Sequence, residues 1–109
     1  MYVSITGLKA KSLSGWLQFW ILTIPAFKAG QEATGNVLCK AKGRNGWQHT
    51  LTVWQTKEDM LAYKRSAKHV KAMRAFSQIA DGKVHGYESE SIPSWDEAFK
   101  QFDKNAIDV

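Results

Sequence analysis

Hydrophobic and polar positions change their rhythm several times along these 109 residues. From Met1 to Leu8 they alternate, with Val3 and Ile5 on one side and Tyr2, Ser4, Thr6 and Leu8 on the other, which predicts a strand. After a basic link at Lys9 to Lys11, Ser12 or Ser14 can cap a helix running roughly from Gly15 to Ala33. Its first half is apolar nearly all round: Trp16, Leu17, Phe19, Trp20, Ile21, Leu22 and Ile24. A helix without a polar face is expected to be covered on more than one side, here by the sheet and by a second subunit or bound apolar matter. Pro25 removes a backbone donor and is expected to bend the helix near Ile21, and Gly35 is a plausible stop.

Alternation returns from Asn36 to Lys42, whose lysines suit an edge strand. Gly43-Arg44-Asn45-Gly46 turns the chain, because Asn-Gly accepts positive φ at little cost. Trp47 to Trp54 is the partner strand, with Trp47, His49, Leu51 and Val53 on one face and Gln48, Thr50, Thr52 and Trp54 on the other. Thr56, with Asp59 three residues on, caps the next helix. The region Lys57 to Asp81 is helical but out of phase with itself. Met60 and Ala67 lie on one side of the wheel, and His69, Met73, Phe76 and Ala80 on nearly the opposite side. A break at Ser66 to Lys68 is therefore expected, with Ser66 capping a second helix that buries Met73 and Phe76 and takes His69 in at its first turn. Asp81-Gly82 is read as its end, Lys83 to Glu90 as a last strand, and Trp95 to Phe102 as a C-terminal helix capped by Ser94. The order β-α-β-β-α-β plus a C-terminal helix is the ferredoxin-like α+β pattern, as one domain over residues 1–109.

A hydrophobic share of 44% against 23% charged residues places the chain with folded globular proteins rather than disordered ones. Five Trp and five Phe point to a bulky core, an apolar cavity or a subunit interface. The net charge of +5 comes largely from Lys64, Arg65, Lys68, Lys71 and Arg74 in one helical region and Lys40, Lys42 and Arg44 near one turn. This reads as a solvated face, since no nucleic-acid-binding pattern accompanies it. The apolar run Trp16 to Phe27 is too short for a bilayer, which needs about 20 residues, so no membrane span is expected, and neither is a signal peptide. Cys39 is the sole cysteine, which fits a reducing cytoplasm. A reactive thiol there has no evident base beside it.

No Gly-rich phosphate loop, G-x-S-x-G, C-x-x-C or H-E-x-x-H occurs, which disfavours dinucleotide binding and triad hydrolysis. His49 and His85 invite a metal reading, but the first strand should lie between theirs, roughly 10 Å apart by strand spacing, and no third ligand has the right spacing. The His69 side chain, on the face of Met73 and Phe76, is either a core or cap histidine or a base or iron ligand. Trp54 is a core residue or a pocket wall, as are Trp16, Trp20 and Phe27. Arg74 and Tyr87 are an ordinary surface Arg and strand Tyr, or groups that orient a polar substituent.

The opening V-S-I-T-G-L-K-A-K-S, the hydrophobic helix with Trp16 and Trp20, H-T-L-T-V-W from His49 to Trp54 and E-D-M-L-A-Y-K-R-S-A-K-H from Glu58 to His69 carry a family likeness. So do the M-R-A-F stretch that follows and P-S-W-D-E-A from Pro93 to Ala98. Over nearly its whole length the chain resembles the antibiotic-biosynthesis-monooxygenase-like domains of the dimeric α+β barrel superfamily, most of all the branch related to spheroidene monooxygenase. The resemblance implies a homodimer whose paired sheets form a barrel, with a pocket between sheet and helices in each subunit. It implies a monooxygenase-like enzyme acting on a planar or polyene apolar substrate, without a cofactor or with haem, or else a non-catalytic binder of a small hydrophobic ligand or haem. His69, as base or haem ligand, and Tyr63 nearby would be the catalytic residues, and Trp16, Trp20, Trp54, Phe76 and Arg74 would bind substrate. Haem-degrading members carry a Trp on the preceding helix and an Asn near the start; Tyr63 stands at that helix place and the first strand has Ser4 and Thr6, which speaks against haem degradation.

Overall fold

The computed structural model describes residues 1–109, except for the side-chain positions of residues 13–16 and 22. In chain order the elements are β1 (Tyr2–Ala10), α1 (Leu13–Glu32), β2 (Asn36–Arg44), β3 (Trp47–Trp54), α2 (Lys57–Lys64), α3 (Ala67–Ile79), β4 (Ala80–Glu88), α4 (Trp95–Asn105) and β5 (Ile107–Asp108). The strands form one antiparallel sheet in the order β2-β3-β1-β4-β5. This is the expected ferredoxin-like α+β arrangement with a C-terminal helix.

The register of β1 sets the character of both faces. Val3, Ile5 and Gly7 lie opposite Val53, Leu51 and His49 of β3 and opposite Tyr87, His85 and Lys83 of β4. Helix α4 packs on that face, where Val3, Ile5, Leu51, Val53, Ala98, Phe99 and Phe102 form one core. The other face presents Ser4, Thr6, Thr50 and Thr52, and α1 and α3 stand over it with a second core of Phe19, Ala72, Phe76 and Ala80.

Asn45 and Gly46 both have positive φ, at 53° and 81°, and make the two-residue turn that joins β2 to β3. Thr56 caps α2 by accepting from the Asp59 N–H at 3.1 Å. The anticipated helix break is present: α2 stops at Lys64, and Ser66 caps α3 with its hydroxyl accepting from the His69 N–H.

Several boundaries differ from the sequence reading. Helix α3 ends at Ile79, and Asp81 and Gly82 belong to β4, paired with Lys9 and Leu8. The cause is that β1 continues to Ala10, so its antiparallel partner must begin earlier than a helix stop at Asp-Gly suggests. Strand β4 also ends at Glu88, short of Glu90. The short strand β5, which alternation over two residues could not announce, closes the sheet on β4. Helix α1 starts directly after Ser12 and runs through Pro25, and its described side chains are covered on one side only in the single chain. Phe19 is buried, whereas Leu17, Ile21 and Ile24 are 59%, 71% and 65% exposed. The Ser14 reading falls outside the described side chains.

Gly7 is required by the packing of α4. A Cβ there would stand 2.8 Å from Phe102 Cζ and 2.9 Å from His49 Cε1, both held in the core. Gly7→Ala should therefore lower stability by about 1–3 kcal/mol through overpacking. Gly43→Ala on the edge strand, which meets only the flexible end of Gln48, should stay within about 0.5 kcal/mol. Urea denaturation of both variants checks this.

Candidate active site

Between the hydroxyl-bearing face of the sheet and the helices lies a cavity of about 430 Å³, within the range of small-molecule sites. Its floor is Ser4, Thr6, Thr50 and Thr52, and its walls include Phe19, Trp20, Phe27, Tyr63, Met73 and Phe76. Alternation puts the hydroxyls there: Ser4 faces Thr52, and Thr6 faces Thr50, across the β1–β3 pair.

The helix break aims the aromatic groups. Residues on either side of Arg65 and Ser66 belong to different helices, so Tyr63 and His69 meet ring to ring instead of following one helical wheel. Their centroids are 5.0 Å apart at 70°. On its other side Tyr63 stacks on Trp54, at 5.3 Å and 27°. Trp54 is fully buried, and its indole Nε1 donates to Thr52 Oγ1 at 2.9 Å. The Thr52 hydroxyl in turn donates to the Ser4 carbonyl at 3.3 Å. The Tyr63 hydroxyl donates to the Ala26 carbonyl of α1 at 2.9 Å. Three aromatic rings thus cross the cavity wall from β3 to α3, tied at one end to the sheet and in the middle to α1.

Burial decides the protonation of these groups. It pulls the His69 pKa below the usual histidine value, and the Lys64 ammonium adds to this, against a hydrogen bond to the Lys64 backbone. The imidazole is therefore neutral at pH 7. Burial, with Cys39 beside it, pushes Tyr63 up to about 12, so its hydroxyl stays protonated. Burial also raises Cys39 to about 11, which leaves a thiol that is a poor nucleophile.

Of the residues singled out in the sequence, His69, Tyr63, Trp20, Trp54, Phe27 and Phe76 are brought together around the cavity. The side chain of Trp16 lies outside the described residues. Arg74 is not in the cavity wall; it is exposed on α3 and lines an outer depression with His69 and Lys64. Tyr87 and His85 stack on each other at 5.4 Å on the α4 face of the sheet. His49 is on that face too, 1% exposed, with Nδ1 3.2 Å from the Thr6 carbonyl and its ring against Phe99 and Phe102. Burial and the Arg44 guanidinium lower its pKa. Arg44 lies over the Phe99 ring and is paired with Asp103 at 2.6 Å. Among the described residues no group of three His, Cys, Asp or Glu could hold a metal ion.

Sequence reasoning did not single out the four floor hydroxyls or Cys39 as site residues. The signal of the hydroxyls was available in the alternation of Ser4 and Thr6 with Val3 and Ile5, because small polar residues on the helix-covered face of a sheet need a hydrogen-bond partner from protein, water or ligand.

No protein-family model and no curated protein matches the sequence. Solved structures do match the fold. A provisionally named antibiotic biosynthesis monooxygenase from Deinococcus radiodurans superposes with a TM-score of 0.76 at 18% identity, over 86% of this chain and 97% of that one. One provisionally so named from Nitrosomonas europaea gives 0.74 at 17%, over 84% and 100%. SnoaB, a cofactor-independent oxygenase from Streptomyces nogalater, gives 0.70 at 7%, over 85% and 97%. The chain therefore has the ferredoxin-like fold of the antibiotic biosynthesis monooxygenase domains.

Proposed function

We propose that the chain is a monooxygenase-like enzyme acting on a planar or polyene apolar substrate held between sheet and helices. The observation that carries this reading is His69: a neutral imidazole on the wall of a largely apolar cavity, braced by Tyr63 and Trp54. SnoaB, of the same fold, is a cofactor-independent oxygenase. The imidazole, held uncharged by burial, is the proton acceptor. It takes a proton from an activated C–H or O–H of the substrate. The apolar walls then keep water from the resulting anion, which reacts with oxygen. Tyr63 stays protonated and acts as a wall and a positioning group, since its hydroxyl is committed to Ala26.

A haem-dependent variant of this reading rests on the same imidazole, which burial keeps in the form that ligates iron. Bound haem would supply oxygen activation, and His69 is the residue that would hold it. A non-catalytic dimeric binder of a hydrophobic ligand is the second reading, favoured by the engagement of the Tyr63 hydroxyl. A homodimer fits the bare stripe of Leu17, Ile21 and Ile24 on α1. A cytoplasmic setting fits the free Cys39 thiol, and among the described residues no helix is long and apolar enough to cross a membrane.

With anthrone as a planar probe bearing an acidic methylene, oxygen uptake should exceed the buffer rate. His69→Ala should slow it by about a hundredfold or more. The wild-type rate should be flat near pH 7–8 and fall as pH drops below about 6.5, because protonation removes the base; the mutant should lack that limb. Binding without oxygen uptake would favour the carrier reading. Added hemin should give a shifted Soret band that His69→Ala loses if iron is ligated there, and no shift removes the haem variant. Light scattering at micromolar concentration should give twice the 12.3 kDa chain mass; a monomer would count against the dimer.

A further inference from the structure

The cavity does not end at His69. The outer depression, about 450 Å³, shares Leu8, Lys64, His69, Met73 and Phe76 with it. The two spaces adjoin at these residues, with His69 in the lining of both. The outer part adds Val70, Arg74 and Ser77. No Asp or Glu lines either part among the described residues. Two full cations do border the outer part: Lys64, the last residue of α2, and Arg74, on α3. The Lys64 charge is near enough to bear on His69. Neither cation has a carboxylate partner among the described residues, where Arg44–Asp103 is the one ion pair.

An apolar space bordered by two cations that form no ion pair among the described residues is complementary to an apolar molecule with one anionic end. We infer that the ligand of this site is a long apolar carboxylate, its body in the cavity against Phe19 and Phe76 and its carboxylate at the lip between Lys64 and Arg74. A guanidinium matches a carboxylate in a two-pronged geometry, and the ammonium adds a point charge. His69 stands between lip and cavity, so the atoms it meets are those a few bonds from the acid end. This inference rests on the reading of the cavity as a ligand site, and not on the oxygenase chemistry.

The test uses cis-parinaric acid, a fluorescent polyene carboxylic acid, and its methyl ester, each titrated into the full chain. The acid should bind about tenfold or more tightly than the ester, as one charge-assisted contact supplies. Arg74→Gln and Lys64→Gln should each weaken the acid severalfold and leave the ester unchanged. Added salt should weaken the acid alone. Both residues are exposed, and circular dichroism confirms that the variants fold. Equal binding of acid and ester, or equal losses for both in the variants, overturns the carboxylate assignment while the cavity reading stands. Binding of neither overturns both. Preferential binding of the acid without oxygen uptake on any substrate leaves the inference in place and removes the oxygenase.

Discussion

The pairing of β1 with β3 is the constraint on which the rest of the molecule depends. It sets Ser4 against Thr52 and Gly7 against His49. A slip of one residue would turn Val3 and Ile5 toward α1 and α3, and the hydroxyls toward α4. Both cores and the cavity would be lost together. The pairing is pinned from three directions: by the bare space at Gly7 that admits Phe102, by the His49 ring on the Thr6 carbonyl, and by the Thr52 hydroxyl on the Ser4 carbonyl. Two of these contacts bind a side chain of β3 to the backbone of β1, so the register is fixed by polar geometry as well as by apolar burial.

Division of labour between the faces follows. The α4 face buries Val, Ile and Leu together with His49, whose Nδ1 meets the Thr6 carbonyl. The opposite face keeps small hydroxyls beneath two helices that touch each other through Phe19, Ala72 and Phe76 rather than filling the space below. Between those helices and the sheet, the Trp54–Tyr63–His69 series gives the cavity one rigid wall. Rigid aromatic placement of this kind fixes the position of the His69 ring against Tyr63.

Much of this was legible in the sequence. The strands announced themselves by alternation, and the helix break at Ser66 by a mismatch of phase between Met60 and His69, because a continuous helix cannot bury opposite sides against one sheet. That break also placed His69 correctly among Met73 and Phe76. What the sequence did not disclose depends on contacts between distant segments. The start of β4 at Ala80 was hidden because only the length of β1 decides it. Arg74 lies five positions after His69 on α3, and a wheel alone does not show that a helix residue sits at the lip and not in the wall. The hydroxyl floor was passed over because Ser and Thr on a strand carry no motif of their own; their meaning comes from what stands above them.

The central place of β1 bears on how the chain is made. Synthesis delivers this strand before both of its neighbours, β3 and β4, the second of which arrives only at Ala80–Glu88. Until then a strand meant for the middle of the sheet has two open edges, and the apolar α1 follows it out of the ribosome without a sheet to lie on. Hairpin β2–β3, closed by Asn45 and Gly46, can form locally in the meantime. The nascent chain therefore passes through a stage in which β1 and α1 are made but still lack the strands they pack with, and it is at that stage that a chaperone would have most to shield.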